Sequence, residues 1–203
     1  MRADAERNRR RILDAAREVF AEHGLGVGVD AVARAAGVGV GTLYRRFPTK
    51  EALLRAVIDD RVEHLRCRIE DVAAGDDPWA SFAAAAETLA GAIARDHGFF
   101  EALQEAHPFL PAEREHAKRA TIAAVTPILR RAQEAGVVRD DLVPLDVLGL
   151  CSVAARLPRA RLEADPEIWR RYLGVVLDGM RAAAAHPLPA TTPAERAPRA
   201  ARA

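Results

Sequence analysis

One stretch limits what this chain can fold into more than any other: Val29 to Lys50, VDAVARAAGVGVGTLYRRFPTK. Val29, Val32 and Ala33 fall at i, i+3 and i+4, the spacing that gives a short helix one apolar face. Ala36-Gly37-Val38 interrupts that spacing. Gly37, four residues after the small Ala33, suits a sharp corner between two helices, because it can take a left-handed backbone. Beyond the corner, Val40, Leu43 and Phe47 recur at three and four residues and are expected to point inward. Gly41, Thr42, Tyr44, Arg45 and Arg46 are left on or near the outward side. A short helix projecting two arginines, a hydroxyl and a phenol is equipped to enter a DNA major groove.

Duplex DNA offers phosphates for affinity and base edges for sequence, and the outward residues sort along that division. Lys50 begins the next helix, where its ammonium and the exposed backbone N–H groups could hold a phosphate. The Thr42 and Tyr44 hydroxyls can bond backbone oxygens, although Tyr44 would equally serve as a half-buried ring on the first helix. Arg45 and Arg46 are the base-reading candidates, since a guanidinium can grip guanine O6 and N7 with two bonds. Gly41 has no side chain and lets the helix backbone approach the groove.

The run AGVGVGTLYRRFPTKEALL, Ala36 to Leu54, resembles the signature of the tetracycline-repressor (TetR) family of bacterial transcription regulators. The resemblance is specific over about residues 8 to 60 and architectural beyond. It implies an N-terminal DNA-binding module on a helical body, acting as a homodimer on a double-stranded, pseudo-palindromic operator, by family habit as a repressor. It also implies a small-molecule effector in a pocket enclosed by later helices, with Leu65, Phe82, Leu89, Phe99, Leu103, Phe109 and Thr121 as candidate lining. Three departures stand out. Gly39 and Gly28 occupy positions where the family often carries Ser or Thr, so only their backbone is expected to touch DNA. Arg46 replaces a frequent His.

Charge follows the same division. Residues 1–50 hold 10 Lys and Arg against 6 Asp and Glu, while the whole chain holds 30 against 29, so the basic excess lies in the N-terminal module. Half of the residues are hydrophobic but only 5% are aromatic. A core of Ala, Leu and Val favours closely packed helices, and the predicted fold is all-α. The expected domains are 1–49 for DNA binding, 50–186 for ligand binding and dimerisation, and 187–203 as a disordered Pro- and Ala-rich tail.

Within the body, residues 1–7 read as loose, and helices are expected over 8–23, the two of the corner motif, 50–74, 79–96, 99–107, 112–135, 144–157 and 166–185. Thr49 and Asp77 are placed to cap, and Gly75 to Pro78 is a hinge candidate. Val147 to Ala155, VLGLCSVAA, has no charge, and a helix apolar all round must be buried all round. The last helix carries two apolar faces, Ile168, Tyr172, Val175 and Gly179 on one and Trp169, Leu173, Val176 and Met180 on the other. A twofold dimer covers both helices economically. Leu148, Cys151, Ser152, Ala155, Trp169, Tyr172, Val176 and Met180 are its candidate interface.

Other classes find little support. The six histidines show no HxxxH or Cys/His ligand spacing, no Gly-rich phosphate loop appears, and the two serines, Ser81 and Ser152, sit in no nucleophile elbow. The reading therefore expects no enzyme, cofactor or metal. Cys67 and Cys151 lack CxxC spacing and read as thiols of a reducing cytoplasm. No signal peptide or membrane span is apparent. The remaining alternative is a dimeric helical module that binds a protein partner without reading DNA sequence.

Overall fold

The structure is a computed structural model of the 203-residue chain and describes residues 2–95, 111–183 and 186–189. These form nine helices: α1 (Arg2–His23), α2 (Val29–Ala35), α3 (Val40–Arg46), α4 (Lys50–Ala73), α5 (Pro78–Arg95), α6 (Pro111–Glu134), α7 (Pro144–Ala155), α8 (Arg159–Ala164) and α9 (Ile168–Met180). The expected helix over 99–107 lies outside the described residues. The chain divides into two compact units, Met1–Leu65 with Arg95–Ala120, and Arg66–Ala94 with Thr121–Ala203, so the division falls within α4.

In the first unit Phe20, Val32, Ala33, Leu43 and Leu53 are fully buried in one core that also holds Ile12, Ala16, Phe47, Val57 and Ile58. That core is the shared floor of α1 to α4. Two expectations are corrected here. Helix α1 begins at Arg2, before the expected residue 8, because residues 2–7 are mostly strong helix formers. Val40 does not point inward: it is 42% exposed. At the first position of α3 it precedes the turn whose inner face Leu43 and Phe47 supply.

In the second unit α5 buries Phe82, Ala86, Leu89 and Ile93 as its periodicity requires. The corner before it is tied down, where a hinge was expected. The Asp77 carboxylate accepts the Trp79 and Ala80 N–H groups at 2.8 and 3.0 Å, and the Ser81 hydroxyl donates to the Gly75 carbonyl. From α6, the Arg131 guanidinium donates to the carbonyls of Ala73, Gly75 and Asp76 at 3.1, 2.7 and 2.9 Å. The Ala73 carbonyl ends α4 without a helical donor, and the other two belong to the turn that follows.

Helix α7 starts at Pro144, with the Asp146 carboxylate accepting the Val143 N–H at 2.8 Å. Helix α9 packs against α7, and the short α8, absent from the sequence reading, packs on α9. Helix α9 stops at Met180, short of residue 185, because Arg181 turns extended and pairs with Val138 in an isolated antiparallel bridge. Just past it the tail expectation is corrected at its root. Arg139 forms a two-bond ion pair with Asp141, donates to the His186 carbonyl, and Asp141 accepts the Leu188 N–H at 2.9 Å. The Arg139 hydrogen bond is the main cause holding the Asp141 carboxyl down at about 2.

Candidate nucleic-acid interface

The corner between α2 and α3 is built from backbone geometry. Gly37 has φ +63°, a left-handed value that side chains resist. Around it the Val38 N–H donates to Ala33 and the Gly37 N–H to Arg34, at 3.0 and 3.1 Å, which closes α2 in a Schellman motif. From α1, Arg11 donates to the Ala36 carbonyl at 2.8 Å. Its guanidinium lies 2.9 Å from where a Cβ on Gly37 would sit. The left-handed backbone is what calls for glycine here, and a Cβ would also displace the tip of Arg11.

Helix α3 then rests on Leu43, fully buried, and presents the opposite side to solvent. Tyr44 is 45% exposed, so part of it is open to a partner. Gly41, Arg45 and Arg46 are exposed and Thr42 half-exposed. Arg45 donates to the Thr42 hydroxyl at 3.3 Å, one turn back along the helix. Arg46 makes no hydrogen bond or ion pair to any described residue. Gly39 caps α3 through its backbone alone, accepting from Thr42 and Leu43 at 2.8 and 3.1 Å. A Cβ on Gly41 would meet nothing within 4 Å, leaving that stretch of helix as bare backbone. The outward set predicted from the sequence thus lies on one side of α3. Val40 joins it, a residue that periodicity alone assigned to the wrong face.

Lys50 behaves differently from expectation. Its ammonium donates to the carbonyls of Leu25 and Val27, the latter at 2.6 Å, and lies 5.9 Å from the centre of the Phe20 ring. Two of its three N–H groups are thereby used inside the chain. Thr49 caps α4 as expected, its hydroxyl accepting the Ala52 N–H at 3.1 Å.

Of the candidate effector residues, Leu65 is half-buried in the first unit, while Phe82, Leu89 and Thr121 are buried in the second. Phe99, Leu103 and Phe109 lie outside the described residues.

The interface candidates separate sharply. Cys151, Ala155, Trp169 and Met180 are at most 2% exposed in a single chain. They belong to its own core, a correction to their proposed interface role. Burial pushes the Cys151 thiol up to about 12. Leu148, Ser152 and Val176 are half-buried and Tyr172 is exposed. The apolar surface left open on α7 and α9 is Leu150, Val153, Tyr172 and Val175, with Val153 and Val175 each 72% exposed. Both helices are apolar on two sides, so the sequence could not say which side faced inward. Among the described residues no group of His, Cys, Asp and Glu could hold a metal, and no helix is long and apolar enough to cross a membrane.

Residues 12–57 match the profile of bacterial regulatory proteins of the tetR family, and residues 77–182 that of the SbtR-like transcriptional regulator C-terminal domain. The HTH-type transcriptional regulator SAR0097 of Staphylococcus aureus is 37% identical over 81 residues, and UidR of Escherichia coli is 38% identical over 72. These matches cover 38% and 35% of this chain and only 42% and 37% of those relatives. Solved structures are similar over far more of the chain. A TetR regulator from Mycobacterium vanbaalenii is 35% identical at TM-score 0.66, covering 89% of this chain and 98% of that one. SCO0520 of Streptomyces coelicolor is 31% identical at TM-score 0.65, covering 85% and 98%. The chain belongs to the TetR family of transcriptional regulators, with a helix-turn-helix module followed by an SbtR-like C-terminal domain.

Proposed function

We propose that the protein is a homodimeric, ligand-responsive repressor that binds a pseudo-palindromic operator. The observation that carries this reading is the outward side of α3, where Val40, Gly41, Thr42, Tyr44, Arg45 and Arg46 stand clear of a core anchored by Leu43. One such helix covers only a few base pairs. Two of them, about 34 Å apart, reach successive major grooves and multiply the selectivity of either. The open strips Leu150, Val153, Tyr172 and Val175 supply the apolar surface by which two copies would pair. A small molecule that favours one spacing of the two reading heads acts as the switch. Leu65, Phe82, Leu89 and Thr121 remain the effector candidates among the described residues.

The test is selection of bound duplexes from a random pool, followed by fluorescence titration of the enriched duplex at two salt concentrations. A regulator enriches a sequence with twofold symmetry and loses affinity steeply with salt. A protein-interaction module enriches nothing, and that result overturns the reading.

A further inference from the structure

The arginines on and around α9 differ in what they hold. Arg161 donates to the Tyr172 hydroxyl at 3.0 Å, and Arg170 pairs with Glu87 and Glu167. Arg181 lies with its Cζ 3.8 Å from the centre of the Trp79 ring. Arg171 is exposed and makes no hydrogen bond or ion pair to any described residue. On the same side of α9, the Asp178 side chain is 82% exposed and its ion pair with Arg181 is long, 3.9 Å. Two turns of helix take up almost seven residues, so Arg171 and Asp178 share one flank. Midway between them lie Gly174, where a Cβ would meet nothing within 4 Å, and Val175, which belongs to the open apolar strip. The middle of that flank is bare and apolar, and its two ends carry opposite charges.

We propose that α9 packs antiparallel against α9 of a second copy, crossing at Gly174 and Val175, and that Arg171 and Asp178 fix this register and select an identical partner. Each charge lies about 5 Å along the helix from the crossing point. A twofold axis there sets Arg171 opposite the partner's Asp178 and Asp178 opposite the partner's Arg171. Helix axes about 8–10 Å apart leave a guanidinium within reach of the facing carboxylate. Both pairs arise together, because a twofold interface repeats every contact. A parallel packing faces arginine with arginine and aspartate with aspartate, and is repelled. A related chain with the same charge at both positions keeps one pair and turns the other into a repulsion, which disfavours mixed dimers. This inference rests on the reading of the protein as a homodimer and names what decides its partner.

The experiment uses the full-length chain as wild type, Arg171→Glu, Asp178→Lys and the double variant that carries both changes. Sedimentation equilibrium over a KCl series gives each dimer Kd. Either single change turns both ion pairs of the dimer into repulsions, so Kd should weaken by about five- to thirtyfold at low salt. The loss should shrink as KCl rises, because the charges are exposed. The double variant restores opposite charges and should recover a Kd within about threefold of wild type. Co-expressing the two single variants, one acidic and one basic at these positions, should give mixed dimers in excess of about four-fifths by native mass spectrometry, against about half for random pairing. That mixture also shows that both variants fold. Single variants that dimerise as tightly as wild type, a double variant that stays weak, or random pairing in the mixture each overturn the proposal while leaving a dimer formed through other contacts. A wild type that stays monomeric sinks the homodimer reading itself.

Discussion

The proposed pairing of two copies can be tested through two side chains. Val153 on α7 and Val175 on α9 are each 72% exposed in the single chain, an unusual position for valines on helices otherwise packed into a core. Trimming each to alanine removes two methyl groups, worth about 0.8 kcal/mol apiece when fully buried. Scaled by the area open to a partner, each site contributes roughly 1 kcal/mol, and a twofold dimer has four such sites. The double variant Val153→Ala, Val175→Ala should therefore weaken association by about 4 kcal/mol, close to a thousandfold in dimer Kd. Neither change opens a cavity within one chain, so the fold is retained. Sedimentation equilibrium over a dilution series measures the Kd, and circular dichroism checks the helix content. A dimer Kd within about threefold of wild type would refute the assignment of these strips to the interface.

Other expectations concern single contacts. Arg45→Ala and Arg46→Ala should each cost about 1–3 kcal/mol of preference at one base pair, read by competition with single-substituted duplexes. Gly37→Ala must force a side chain into a left-handed backbone and displace Arg11, so thermal unfolding should report a loss of roughly 1–2 kcal/mol or more. Asp141, ordinarily near 3.8, is held at about 2 by its Arg139 hydrogen bond. Its stabilising contribution is complete above the unfolded value and is lost as pH falls through about 2. Carboxyl NMR should place its midpoint there in the wild type, and Arg139→Gln should return it toward 3.8. A wild-type midpoint near 3.8 would mean that the ion pair does not form in solution.

The helix-turn-helix was legible because its signals are local: two short apolar spacings, one glycine where the chain must turn, and hydroxyl and guanidinium groups on the remaining side. Caps at Thr49 and Asp77 were legible for the same reason. What escaped depended on distant partners. Nothing near Lys50 or Arg11 in sequence reveals that their acceptors are carbonyls across the module. Arg131 likewise gave no sign that it would lock the corner read as a hinge. Val40 was misplaced because a seven-residue helix completes too few turns for spacing to fix its first position. Cys151 and Trp169 were assigned outward because α7 and α9 are apolar on both sides, and only packing decides which side is spent within the chain. Helix α8, six residues between Pro158 and Asp165, is too short to show a period.

The two thiols end in opposite circumstances. Cys151 is sealed in the core, donating to the Ala86 carbonyl, and its raised pKa leaves almost no thiolate at neutral pH. Cys67 lies exposed on α4. The native chain thus carries its own labelling site. A maleimide dye will mark one defined point on α4, a helix of 24 residues, without mutagenesis, and a dimer will carry two. Energy transfer between those dyes would give a direct ruler for any movement of α4 when DNA or a small molecule is added.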